Sequence, residues 1–260
     1  MLFVNRIIIS GTKGFLGSKF DTSKFNSTKF FYAKNHIQLR RLVKKEKYDL
    51  LIHFGAENRD NSRTDYIIEK NIVNLRDIVE SKSLKKILFI SSDSVTKLYN
   101  KNKNKNLKIT PYNLSKLLCE KYIMESYKKY KFEYVILRLN TVISFGSKKK
   151  NLFYYLENKK KFILNVPNQI DYTLMTQEQV YSIIFDIVNN WKNYKNKVSK
   201  VTSNETLDSN KLIEILNKLK IKYRIVKTKS KNEIEKIIKL KNKNIIENLL
   251  YEIKKKKKKN

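Results

Sequence analysis

Glycine is nearly absent from this chain, with 5 in 260 residues, where average usage is about 7%. Two prolines, one cysteine, one tryptophan and two histidines are almost as sparse. Each shortage excludes something. A single cysteine, Cys119, cannot close an internal disulfide and fits a reducing compartment. His36 and His53 lie far apart without companion ligands, so no metal site is expected. No apolar run approaches the roughly 18 residues that a transmembrane helix needs. No apolar secretory segment precedes the first strand-like run at Arg6. The sequence therefore reads as soluble and cytoplasmic, with no membrane span.

Negative charge is the other scarcity. Asp and Glu number 24 against 57 Lys and Arg, a formal net charge of +33. A polyanion partner would account for this, whether nucleic acid or an anionic membrane surface. Compositional bias would account for it too. Lys, Asn and Ile abound together while Gly and Pro are rare, and the lysines are spread along the whole chain rather than gathered on one motif. That spread favours bias, with nucleic acid bound only non-specifically. The lysine run at 254–259 reads most simply as a solvated tail, and as an electrostatic anchor in the sharper alternative.

What is present is an alternation of short apolar β-branched runs with helical spacings, the pattern of parallel βαβ units. Strands are expected at 7–10, 29–33, 49–54, 86–91 and 134–139. Helices are expected from Phe15 to Phe20 onward and at 37–47, 66–81 and 112–130, with a polar loop at 98–108. After Gly146 the pattern loosens, with helical spacings at 152–161, 177–191 and 208–219 and a Lys-rich helical stretch from Ser230 to the end. The predicted class is α/β: a Rossmann-type doubly wound parallel sheet, helices on both faces, and a small C-terminal lobe. The predicted division is a dinucleotide-binding domain over 1–146, partly rejoined by 171–219, then a substrate lobe over 147–228 and a helical tail over 229–260. No internal repeat is found.

Because glycine is so rare, its placement is informative. Three of the five, Gly11, Gly14 and Gly17, fall within seven residues between the first strand and the expected first helix. Such a turn permits a tight bend, close approach of backbone to a pyrophosphate, and a helix N-terminus facing the phosphates. A second signal is Tyr112-Asn113-Leu114-Ser115-Lys116. Four apart on a helix, Tyr112 and Lys116 share a face. A phenol with a pKa of about 10 is a poor acid–base at neutral pH until a neighbouring ammonium stabilises its phenolate. Pairs of this spacing also arise by chance, Tyr127 and Lys131 among them. This pair has company: Ser91-Ser92-Asp93 closes a buried strand about 20 residues earlier, where a hydroxyl can face the same substrate oxygen.

Together these segments resemble the extended short-chain dehydrogenase/reductase family, in its NAD(P)-dependent nucleotide-sugar epimerase, dehydratase and reductase branch. The resemblance runs from about Arg6 to about Leu219. It includes Ile7–Gly17, Asp49-Leu50-Leu51-Ile52-His53-Phe54-Gly55-Ala56, Asn71, Ile90-Ser91-Ser92, and Leu137-Arg138 with Gly146 beyond. Later, 171–180 and 201–212 match its closing segments. The resemblance implies cofactor contacts at Gly11, Gly14, Phe15, Leu16, Gly17, Phe54, Gly55, Ala56 and Asn71, and catalytic roles for Ser92, Tyr112 and Lys116. Tyr112 and Lys116 would also touch the nicotinamide ribose. It further implies a nucleotide-sugar substrate, contacts to it from Asp93 and Asn140, and a homodimer.

The departures narrow this. After the second strand the acid that would grip an NAD ribose is missing, and Ala33-Lys34-Asn35 stands there, so NADP is preferred to NAD, with Lys34 meeting a 2′-phosphate. Where dehydratases of the branch follow Thr with Asp-Glu, this chain has Ser92-Asp93-Ser94, which disfavours dehydration and leaves 4-keto reduction or epimerisation. Asn140 is displaced by one position from the family's Asn. The competing reading is a basic nucleic-acid-binding or regulatory protein on an inherited Rossmann scaffold, and a weaker one is a degenerate enzyme with a stripped substrate lobe. Against the first of these, Ser92, Tyr112 and Lys116 are all present, and a pure binding protein has no need of them.

Overall fold

Runs such as Ile7-Ile8-Ile9 and Leu50-Leu51-Ile52 have no polar alternation, which suits strands covered on both faces. In the computed structural model they form β1 (Arg6–Ser10) and β3 (Leu50–His53), with those six side chains fully buried. The structure describes residues 5–57, 64–81, 83–99, 110–143, 162–167, 172–203, 206–207, 209–218, 223–228 and 237–240. Two units divide the chain, and each has its own elements.

The first unit comprises Met1–Leu139 with Tyr181–Lys200. Its elements are β1, β2 (Lys29–Ala33), α1 (His36–Lys45), β3, α2 (Thr64–Val79), β4 (Lys86–Ser92), α3 (Ser94–Tyr99), α4 (Pro111–Tyr130) and β5 (Glu133–Leu139). The chain returns to it through α5 (Gln177–Asn189), α6 (Trp191–Tyr194) and β9 (Lys197–Ser203). The strands are parallel and lie in the order β9-β5-β4-β3-β1-β2. Register is fixed by apolar partners on neighbouring strands, Ile8 opposite both Phe31 and Leu51, and Leu88 opposite Val135.

Among the described residues this is a Rossmann-type sheet without the outermost strand of the first half, since α1 leads from β2 straight to β3. From β1 the chain steps to β2 on one side and then crosses to β3 on the other. Strand order reverses between β1 and β3, and in open α/β sheets ligands bind outside the carboxyl ends at that switch point.

Helix ends follow local chemistry. Asn35 caps α1 by accepting from the Gln38 amide, and Thr110 caps α4 by accepting from the Asn113 amide. Pro111 takes the first helical position of α4, where its missing N–H costs nothing. Lys131 ends α4 in the left-handed region at φ 55°.

One expectation fails at the front of the molecule. The helix predicted from Phe15 is a single 3-10 turn, Gly17–Lys19, so the long helix N-terminus expected to face the phosphates is absent. Beyond it the side chain of Asp21 accepts from the Ser23 amide, and Ser27 is left-handed at φ 57°. Short polar side chains that bond their own backbone compete with helix formation. Aromatic packing takes the helix's place. Phe20 meets Phe54 at 5.4 Å and Tyr181 at 5.3 Å, while Phe25 meets Phe30 at 5.6 Å and Phe185 at 5.1 Å. A smaller difference lies after β4: Leu98 and Tyr99, read as the start of a loop, close the short helix α3, and Leu98 is buried.

The second unit comprises Asn140–Val180 with Val201–Asn260. In it β8 (Tyr172–Thr176) pairs with β6 (Thr141–Ile143) in parallel and with β10 (Thr206–Leu207) in antiparallel fashion. Separately, β7 (Phe162–Pro167) pairs with β11 (Tyr223–Thr228) in parallel. Helix α7 (Ser209–Lys218) buries Leu212, Ile215 and Leu216. β12 (Ile237–Leu240) is extended where the sequence suggested helix, because an Ile-Ile pair in so short a run serves a strand equally well. The helical spacing at 152–161, Gly146 and the lysine run at 254–259 lie outside the described residues.

Candidate active site

At the carboxyl end of β1 the chain turns at Gly11, whose φ of 75° is left-handed. Its amide donates to Ala33 O at 3.0 Å, and the Gly14 amide closes the turn onto Gly11 O at 2.8 Å. A Cβ at Gly11 would lie 2.6 Å from Gly55 N and 3.0 Å from the Phe54 carbonyl carbon. The two glycine segments that the sequence separates by some forty residues are therefore pressed backbone to backbone at the switch point. Gly17 is as constrained, since its Cβ would run into Gly11 O. Gly14 differs: it is exposed, and its Cβ would meet only Gly11 O, at 3.0 Å. A tight turn with an exposed glycine of this kind could admit a pyrophosphate close to its backbone.

The other cofactor-side residues spread from this turn. Phe15 and Leu16 are half-buried, and Leu16 O accepts from Tyr181 Oη at 2.6 Å. Phe54 packs on Phe20, and Ala56 is exposed. Lys34 is exposed at the end of β2, its amide donating to Gln38 Oε1 at 2.9 Å. Asn71 is an anchor. Its Oδ1 accepts from the Glu57 amide at 2.7 Å, and its Nδ2 donates to Glu57 O at 3.0 Å and to Ser115 Oγ at 2.8 Å. It ties the loop after β3 to α4. His53, at the end of β3, bonds Ser10 Oγ through Nδ1 at 2.7 Å and stacks on Phe89. Burial first, and the Lys116 charge second, push its pKa down to about 3.

The catalytic candidates sit on β4 and α4. Ser92 ends β4, and its Oγ lies 2.8 Å from Ser94 Oγ, which donates to Asn113 Oδ1 at 2.7 Å. Asn113 follows Tyr112 in the first turn of α4, so Ser92 and Tyr112 are linked through two side chains. Lys116 is buried one turn on, with Nζ donating to Ile90 O of β4 at 2.6 Å and lying 4.5 Å from the Phe89 ring centre and 5.9 Å from that of Tyr112. Burial pushes the Tyr112 phenol up to about 12, with Cys119 a lesser contributor. Burial also pulls the Lys116 ammonium down to about 8, against the opposing pull of Cys119 and Glu120. The structure thus brings Ser92, Tyr112 and Lys116 to one strand–helix junction. The lowering of the phenol expected from Lys116 is not found, because burial dominates and Nζ sits on Ile90 O, 5.9 Å from the Tyr112 ring centre.

The substrate-side candidates are engaged with their surroundings. Asp93 donates its amide to Leu139 O at 2.9 Å, and its Oδ1 accepts from Thr96 Oγ1 at 3.1 Å and pairs with Lys200 at 2.8 Å. Asn140 Nδ2 donates to Val201 O at 2.9 Å. Sequence reasoning missed one group of the first unit. Glu120 and Arg138, both buried, form an ion pair at 2.7 Å, and Glu120 Oε1 also accepts from Ser91 Oγ at 2.5 Å. A signal was present, because Glu120 continues the spacing Tyr112, Lys116 by another four residues on the buried face of α4. Among the described residues no group of His, Cys, Asp and Glu could hold a metal ion, and no helix is long and apolar enough to cross a membrane.

Similarity to known proteins bears on the family and the fold. The sequence pattern of the NAD dependent epimerase/dehydratase family matches residues 21–166, more than half of the chain. The dTDP-D-glucose 4,6-dehydratase of Dictyostelium discoideum is 28% identical over 193 residues, covering 54% of this chain and 44% of that protein. The chain thus spans less than half the length of this curated relative. Solved structures share the fold over almost the whole chain. A UDP-N-acetylglucosamine 4-epimerase from Methanobrevibacter ruminantium M1 has a TM-score of 0.67 at 19% identity, covering 100% of both chains. RMD from Pseudomonas aeruginosa, solved with NADPH, has a TM-score of 0.66 at 16% identity, covering 96% of this chain and 98% of that one. With its Rossmann-like sheet, its paired glycine segments and this sequence match, the chain belongs to the NAD dependent epimerase/dehydratase family.

Proposed function

We propose that this protein is an NAD(P)-dependent enzyme acting on a nucleotide-activated sugar, by 4-keto reduction or by epimerisation. The observation that carries the reading is the junction of β4 with α4, where Ser92, Tyr112 and a buried Lys116 converge. Tyr112 is the acid–base at the sugar C–O group. Burial alone leaves the phenol protonated and a weak acid at neutral pH, and Lys116, together with the positive charge of an oxidised nicotinamide when bound, would bring it toward the working range. The Ser92 hydroxyl donates to the same oxygen. Lys116 tunes Tyr112 and holds the nicotinamide ribose. The dinucleotide lies along Gly11, Gly14, Phe15, Leu16, Gly17, Phe54, Gly55, Ala56 and Asn71, and when bound it supplies or accepts the hydride.

On the substrate side the reading assigns Asp93 and Asn140. Both described contacts of the Asp93 carboxylate fall on Oδ1, which leaves Oδ2 for a sugar hydroxyl. Ser94 stands where a dehydratase carries its second acid, and its hydroxyl is committed to Ser92 and Asn113, so dehydration is disfavoured. NADP is preferred, with the exposed Lys34 on the 2′-phosphate. The working form is a cytoplasmic homodimer.

Fluorescence titration with NADH and NADPH, followed by a panel of 4-keto nucleotide sugars and their epimers, tests this. Reduction consumes the reduced cofactor in proportion to product, and epimerisation consumes none. Absence of dinucleotide binding, or binding without turnover on any member of the panel, overturns the proposal. The charge of +33 supports the competing reading, a nucleic-acid binder. Under the enzyme reading, RNA and DNA bind weakly, without sequence preference, and release steeply with salt. Nanomolar, sequence-selective binding at physiological salt without turnover would favour the competitor.

A further inference from the structure

Lys116 and Glu120 stand four apart on the buried face of α4, a spacing at which opposite charges ordinarily join. Here they do not. The Lys116 ammonium donates to Ile90 O at 2.6 Å. The Glu120 carboxylate is instead taken by Arg138 of β5, through Nε at 3.1 and 3.2 Å and through a terminal nitrogen at 2.7 Å, and by Ser91 Oγ at 2.5 Å. The remaining terminal nitrogen of Arg138 donates to Thr96 Oγ1 at 3.3 Å, and the guanidinium lies 4.8 Å from the Tyr99 ring centre.

The competition has a physical winner. A guanidinium meets a carboxylate as a planar fork with parallel hydrogen bonds, which a single ammonium cannot match. Lys placed N-terminal to Glu is also the weaker orientation for a helical pair. We propose that Arg138 is a positioning residue for the catalytic pair: by clasping Glu120 it denies Lys116 its neighbouring acid and leaves the ammonium against β4, directed to the site. The proposal rests on the functional reading of Lys116 given above.

Without Arg138 the buried Glu120 charge has no fork to meet, and Lys116 is the cation within reach. The groups facing Lys116 are Tyr112, Cys119 and Glu120 on its own helix and His53 on β3, with Arg138 acting through Glu120. Burial holds the Tyr112 phenol and the Cys119 thiol in their neutral forms, so the partner on α4 that can pair with Lys116 is the Glu120 carboxylate now held by Arg138. Release of Glu120 therefore raises the Lys116 pKa and draws Nζ along the helix, away from Ile90 O.

The test uses the full chain with ¹³Cε-labelled lysine, the Lys116 signal being assigned by its loss in Lys116→Met. Three proteins are titrated: wild type, Arg138→Met, and the double variant Arg138→Met/Glu120→Leu, in which the ion pair is replaced by apolar side chains, a change that folds often tolerate. Arg138→Met is expected to move the Lys116 midpoint upward by about one pH unit or more and to weaken NADPH binding, because Nζ is drawn away from Ile90 O. The double variant is expected to return both toward wild type. Where Arg138→Met fails to fold, Arg138→Lys, which keeps the charge and loses the fork, gives a smaller shift of the same sign. An unmoved Lys116 midpoint in the single variant, or a double variant without rescue, overturns the proposal. If the wild type binds no dinucleotide, the functional reading fails, while the Lys116 titration still decides the role of Arg138.

Discussion

The carboxyl ends of β1 and β4 are built from different materials. At β1 the geometry is carried by backbone: a left-handed Gly11, the Gly55 chain pressed against it, an amide closing the turn, and aromatic rings where a helix was expected. At β4 it is carried by buried side chains: Ser91 to Glu120, Glu120 to Arg138, Lys116 to Ile90 O, and Asn71 to Ser115 one turn away. Backbone geometry tolerates no added atom but is indifferent to charge. A polar network tolerates shape changes better than the loss of a partner, because an unpaired buried group keeps its full desolvation cost. Mutations at the two ends should therefore fail differently.

The largest effect belongs to the β1 end. Gly11→Ala forces a Cβ into the Gly55 backbone and holds alanine at φ 75°, so it should cost about 3 kcal/mol or more in denaturant unfolding. Gly14→Val, exposed and short of only a little room, should fold normally and lose dinucleotide binding. If Gly11→Ala kept wild-type stability, the backbone account of this end would fail. Next comes Tyr112→Phe, which removes the proton and little else. Turnover should fall by roughly 10² or more with cofactor affinity nearly unchanged. A Phe variant of near-full activity on its substrate removes Tyr112 from the mechanism.

A smaller effect is written in pH. The folded His53 has a pKa of about 3 against 6.5 for the free side chain, so between those values the unfolded chain binds the extra proton. Stability from this group is present above about 6.5 and falls with acidification, by about 1.4 kcal/mol per pH unit until about 3. Chemical denaturation at pH 7, 6 and 5, in wild type and His53→Gln, isolates the slope. An equal slope in both proteins would show that His53 is not the group responsible. Smallest is Tyr181→Phe, which deletes one hydrogen bond to Leu16 O. A loss of about 1 kcal/mol is expected, with turnover at saturating cofactor intact. A fall in turnover instead would tie the two ends of the sheet together.

The contrast also explains what could be read from the sequence. Strands β1, β3, β4 and β5 were legible because burial on both faces demands unbroken aliphatic runs, and few other structures use them. Tyr112 and Lys116 were legible because helix geometry makes i and i+4 neighbours. The shortened first helix was not. Phe15, Leu16 and Phe20 have helical spacing, and the local bonding of Asp21 and Ser23 that defeats a helix shows only in the fold. Arg138 was visible as half of a Leu-Arg motif, but its partner lies 18 residues back on another element. Pairings of that kind depend on strand order, and no local pattern encodes them.

The helix-poor stretch between β1 and β2 bears on how this protein can change over evolutionary time. A helix adds or drops residues only in whole turns, because its buried stripe must stay in phase. Here Phe20 and Phe25 are points of attachment, and the chain between and around them has no period to preserve. Closing a longer irregular loop costs only about 0.6 kcal/mol for each doubling of length. Past the glycine turn, the chain around these anchors can therefore change length at little cost, while Gly11 and Gly17 and the strands stay fixed. The match to the family's sequence pattern begins at residue 21, past the glycine turn.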